Sequence, residues 1–229
     1  MSSTKLCVGL AFASTAIAAA AADTALKPPT EFEEAALYVE QNATDGDTEV
    51  VISGTAGDEG LRRLFIKSPA RELMTTLLAD DATPGMREFL FETPEPPGEA
   101  VLAFYPEGKY VLLGISTSGE RFRSVLTLSH ELPPAVTILH PAEDAEVPAG
   151  QSLVVRWSAA AGIEQFILEV ENESADPERA LTINLPPNVT SFRVPASFLK
   201  AGSEFQVGIH TVAENGNVVA VESAFTTAE

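Results

Sequence analysis

The densest run of metal-capable side chains is Glu40-Gln41-Asn42-Ala43-Thr44-Asp45-Gly46-Asp47-Thr48-Glu49, with four carboxylates and two amides in ten residues. Calcium takes several hard oxygen ligands from a flexible loop. On that chemistry Glu40, Asn42, Asp45 and Asp47 are the candidate ligands of a calcium site. The spacing does not reproduce an EF-hand loop. The same residues also read as a β-hairpin in which Asp45-Gly46 makes the turn and Asp47 caps it. Both readings stand at this level: a bare turn, or the calcium point of a calcium-dependent ligand- or carbohydrate-binding module. No other cofactor is expected.

Catalytic arrangements are harder to find. Hydrolysis by a nucleophile needs a base and a group that orients it. The three histidines, His130, His140 and His210, are scattered, and Gly114-Ile-Ser-Thr-Ser118 is not a nucleophile elbow. A glycosidase needs a carboxylate pair across a sugar cleft, but with 33 acids such pairs arise by chance. One Trp and three Tyr offer no evident platform for stacking sugars. Phosphate-binding glycine loops are missing too. The sequence therefore reads as non-enzymatic, with no catalytic residue assigned.

Charge narrows the partners. Against 33 acids stand 14 Lys and Arg, a net charge of −19. A phosphate backbone would be repelled, so no nucleic-acid partner is expected; an unspecified protein or a glycan remains. Residues 1–22 have a lysine, an Ala-rich apolar stretch and small residues before Asp23, the pattern of a secretory signal peptide. The stretch is too short and too weakly apolar for a membrane span. The expected location is outside the cytoplasm, in the periplasm or the extracellular medium. Cys7 would leave with the signal, so the core must form without disulfides.

The elements that must position any site are strands. After a flexible lead-in at 23–30, period-2 runs fill 31–132 and 133–229, read as two domains separated at Pro133-Pro134. In the first half Leu37/Val39, Val50/Ile52, Leu64/Ile66, Phe89/Phe91, Leu102/Phe104, Tyr110/Leu112 and Phe122 to Leu128 alternate. Residues 68–79 fit a helix or a hairpin arm equally. In the second half the runs centre on Val155, Leu168, Phe192, Val207 and Val221, with turn signals between them. PEGKYVLLGIS and KAGSEFQVGIH echo one another across the halves. The expected fold is all-β, two β-sandwiches in tandem.

Trp157, Phe166, the segment Val194 to Phe205, Gly216 and Phe225-Thr-Thr resemble a fibronectin type III domain over residues 134–229. Phe205 stands where that family carries the tyrosine of the tyrosine corner, and no Arg-Gly-Asp tripeptide occurs. Taken whole, the chain resembles uncharacterised secreted bacterial proteins with a fibronectin type III domain. That resemblance implies a spacer or binding module, and no activity.

Overall fold

A computed structural model describes residues 27–58, 60–80, 82–94, 98–177 and 179–229. The signal-peptide reading and Cys7 lie outside them. The N-terminal sandwich contains β1 (Glu33–Asn42), β2 (Thr48–Thr55), β3 (Leu61–Lys67), β4 (Leu73–Leu78), β5 (Glu88–Glu92), α1 (Gly98–Phe104), β6 (Gly108–Ser116) and β7 (Arg121–Leu128). Its two layers are β5-β2-β1 and β4-β3-β6-β7. Leu37, Val39, Val50 and Ile52 from one layer meet Leu64, Ile66, Tyr110 and Leu112 from the other, all buried. These are the alternating positions of the sequence, because a strand sends every second side chain to the same face.

Two points go beyond or against the sequence expectation. Residues 73–78 form the edge strand β4, which settles the open choice over 68–79. Leu102 and Phe104, read as a strand pair, lie in the short helix α1, whose Val101 is buried in the core. A two-residue alternation cannot separate strand from helix, since a single helical turn can also bury one residue and expose its neighbours.

The C-terminal sandwich contains β8 (Ile138–His140), β9 (Ala145–Val147), β10 (Leu153–Trp157), β11 (Gln165–Asn172), β12 (Arg179–Leu185), β13 (Ser191–Val194), β14 (Glu204–Val212) and β15 (Val218–Thr227). Its layers are β13-β10-β8 and β12-β11-β14-β15, with β9 added to β15. The strand order is thus the same in both sandwiches. Trp157 packs edge-on to Phe166 at 5.7 Å, and Phe205 stacks on Phe225 at 5.2 Å. In the N-terminal sandwich Tyr110 occupies the place that Phe205 takes here, near the start of the penultimate strand. Its hydroxyl donates to Pro106 O at 2.9 Å, so the tyrosine corner missing from one half is present in the other.

The two sandwiches share a sheet. β1 pairs with β15 in parallel, Glu40 opposite Val218 and Asn42 opposite Ala220, which makes β12-β11-β14-β15-β1-β2-β5 continuous. Asn217 fastens this seam. It is 1% exposed. Its Oδ1 accepts from Val39 N–H at 2.8 Å, and its Nδ2 donates to Ser129 O and Glu131 O, each at 2.9 Å. A buried amide with all three bonds made is strongly position-specific, because each partner would be costly to leave unpaired.

Candidate functional site

Where β1 meets β15, a cavity of about 140 Å³ is lined by Glu40, Asn42, Asp47, Thr48, Glu49, His210, Ala220 and Glu222. The β1–β2 turn builds one wall. Gly46 takes φ +90°, which an L side chain rarely adopts, so Asp45-Gly46 is a turn that needs its glycine. Asn42 N–H donates to Asp47 O and Gly46 N–H to Asn42 O, closing the loop. Strands β14 and β15 supply the other wall, with His210 and Glu222 on the same sheet face as Glu40 and Asn42.

Of the four residues read as calcium ligands, Glu40, Asn42 and Asp47 reach this cavity and Asp45 does not. Asp45 Oδ1 instead accepts from Asp47 N–H at 3.0 Å, within its own turn. The Asn42 amide is committed twice: Oδ1 accepts from Thr44 N–H at 2.9 Å, and Nδ2 donates to Glu222 Oε2 at 2.8 Å. Among the described residues no group of three His, Cys, Asp or Glu side chains stands in an arrangement that could hold a metal.

His210 is the charge partner of the cluster. Its Nδ1 lies 3.5 Å from Glu40 Oε1 and its Nε2 3.8 Å from Glu169 Oε2. Burial acts to lower its pKa, but Glu40 beside it, and then Glu169 and Glu222, outweigh burial and hold it above the usual histidine value. Tyr38, on the same strand as Glu40, is pushed up to about 12, first by burial and then by Glu40, Glu49 and Glu92. The site can therefore hold a proton at the centre of a ring of carboxylates and tie two sandwiches together electrostatically.

The other histidines are elsewhere. His130 Nε2 contacts Tyr105 O at 2.8 Å, and His140 pairs across from Arg156. Sequence reasoning did not single out Asn217 or Glu222. Asn217 was visible only as part of an Asn-Gly-Asn turn, a pattern that fixes a hairpin and says nothing of a second domain docking on it.

No family model matches the chain, and no curated protein does. Among solved structures it is similar to the FN1–FN3 domains of chicken CNTN1, at 10% identity and TM-score 0.34, covering 87% of this chain and 68% of that one. It is likewise similar to fibronectin(III)-like modules of Clostridium thermocellum CbhA, at 12% identity and TM-score 0.34, covering 88% and 93%. A two-domain fibronectin type III segment of chicken tenascin aligns at 10% identity and TM-score 0.29, covering 84% and 97%. The strand order and the two packed cores, rather than these scores, make the chain an all-β protein of fibronectin type III-like sandwiches.

Proposed function

We propose that the chain is an exported, non-enzymatic interaction protein whose two sandwiches act as one rigid body. The observation that carries this reading is the seam: a shared sheet, the three bonds of buried Asn217 and the His210 carboxylate ring. A joint of this kind holds the outer faces of two sandwiches at fixed spacing, which suits recognition of a partner and offers nothing to chemistry. Cross-linking of the exported protein in its native extract, followed by mass spectrometry, tests it. A stoichiometric partner cross-linked to outward strand positions is expected. Hydrolase turnover that disappears on substituting one seam carboxylate, such as Glu222→Gln, would overturn it.

A second reading keeps calcium at the 40–49 loop. It is supported by Glu40, Asp47, Glu49 and Glu222 lining one small cavity, from whose walls calcium would have to draw them together, since no three of them stand at ligand spacing. A native-state ligand raises the melting midpoint. On this reading calcium, but not magnesium, raises the midpoint, and Asp47→Ala abolishes the rise. A midpoint that is the same in calcium and in EDTA refutes it.

A further inference from the structure

The outward faces of the two layers of the N-terminal sandwich carry opposite charge. On β4-β3-β6-β7 the outward residues fall into rows set by the pairing register. Leu78, Arg63, Ile115 and Arg121 form one row. Thr76, Phe65, Leu113 and Arg123 form the next, and Leu73, Lys67, Val111 and Val125 the third. Lys109 lies below, opposite Thr127. Five of the chain's 14 lysines and arginines stand on this face, and no outward position on the four strands is acidic. Arg63, Lys109, Arg121 and Arg123 are exposed. Among the described residues Arg63, Lys67, Lys109 and Arg123 have no carboxylate partner, while Arg121 donates to Lys27 O.

The arrangement has a centre and a rim. Phe65, Val111, Leu113 and Ile115 are half-buried and contribute to neither core. The cations flank them on three sides, Arg63 and Arg121 in the first row, Arg123 on β7, and Lys67 and Lys109 beyond, while uncharged Leu78, Thr76 and Leu73 line the β4 edge. An apolar centre with a charged rim is the anatomy of a protein interface. On the opposite layer the outward residues of β5 and β2 include Glu88, Glu92 and Glu49, the sign the whole chain leads one to expect. A cationic apolar face on a chain of charge −19 is thus local and specific.

Resting on the interaction-protein reading above, we infer that this face binds an acidic amphipathic segment of a partner protein, its apolar residues on Phe65 and Leu113 and its carboxylates on the flanking arginines and lysines. Size selects a segment. Four strands at ~4.8 Å spacing and a length of ~20 Å give about 400 Å², half of what each partner contributes to a standard stable interface. A second copy would bring a further net charge of −19, and an anionic bilayer an extended negative surface, against the whole chain, whereas a short segment places its few carboxylates on the cationic face alone.

The test uses a labelled acidic peptide of alternating glutamate and leucine, its lysine–leucine counterpart, and phosphatidylglycerol vesicles. The full chain should bind the acidic peptide with salt-sensitive affinity. Arg63→Glu with Arg123→Glu should weaken binding tenfold or more. Arg179→Glu with Arg193→Glu, the same charge change on the C-terminal sandwich, should leave it within twofold. Leu113→Gln should weaken it at high and low salt alike. Melting curves confirm that each variant is folded. Equal weakening by both charge reversals, or tighter binding to the vesicles than to the peptide, would overturn the assignment. Either result, with native cross-links still found on the C-terminal sandwich, would remove this face and leave the interaction-protein reading standing.

Discussion

Truncating Asn217 to alanine should damage the joint between the sandwiches more than any exposed substitution nearby. The side chain makes three bonds, and their partners differ. Val39 is fully buried, so its N–H loses its acceptor with no water to replace it; an orphaned buried donor costs about 1–3 kcal/mol. Ser129 is partly exposed and Glu131 exposed, so their carbonyls can turn to solvent, and Glu131 O keeps its bond from Asn215; each lost bond there costs about 0.5–1 kcal/mol. The sum is about 3 kcal/mol, or a fall of ~6–12 °C in the melting midpoint for a chain of this size. Asn215 is the control. Its Nδ2 also donates to Glu131 O, at 2.9 Å, and its Oδ1 accepts from Asn217 N–H at 3.0 Å, but the side chain is exposed and neither bond crosses to β1, so Asn215→Ala should cost about 1–2 kcal/mol and leave the seam closed. Urea unfolding followed by two probes separates the halves. The single tryptophan, Trp157, is buried in the C-terminal core and reports on that sandwich alone. Far-ultraviolet circular dichroism reports on both. The two transitions should coincide in the native chain and part in Asn217→Ala, the N-terminal half melting first. A loss no greater than that of Asn215→Ala, with coincident transitions, would refute the reasoning.

Three other outcomes follow from the same structure. The folded chain holds the His210 proton more tightly than the unfolded chain. Its contribution to stability is therefore full below about pH 6.5 and lost as pH rises through the raised folded value. The midpoint difference between native and His210→Gln should shrink across that window, and a difference constant with pH would contradict it. Tyr110→Phe removes the bond to Pro106 O and should cost about 1 kcal/mol in urea unfolding; no change would mean the corner is idle. Gly114→Ala would place a β-carbon 2.6 Å from Phe32 Cζ and 3.0 Å from Leu61 Cδ2. Overpacking of that kind costs about 1–3 kcal/mol, and a stabilised variant would show that the ring has room to move.

The strands were legible because their burial is one-sided. Leu153, Val155 and Trp157, or Phe166, Leu168 and Val170, alternate in the sequence and sit buried in one core. The helix at 98–104 was not, since seven residues give a helical period too little length to show itself. The turn reading of Asp45-Gly46 had a local cause that sequence carries, whereas the cavity beside it did not. Glu40 and His210 are 170 positions apart, and their approach depends on β1 pairing with β15, a contact between domains that no local pattern encodes. The cationic face was hidden for a similar reason. Arg63, Lys109 and Arg123 belong to three strands, and only the register that lines up Phe65, Leu113 and Arg123 makes them one surface. Whole-chain charge pointed the other way.

The central claim is that the β1–β15 seam makes one rigid body of the two sandwiches. Amide residual dipolar couplings, recorded on the full chain in a weakly aligning medium, address it directly. Couplings from β2, β3 and β6 and from β10, β11 and β14 should fit a single alignment tensor of common magnitude and axes. Two tensors, with reduced magnitude in one half, would mean that the sandwiches move independently and that the seam does not hold.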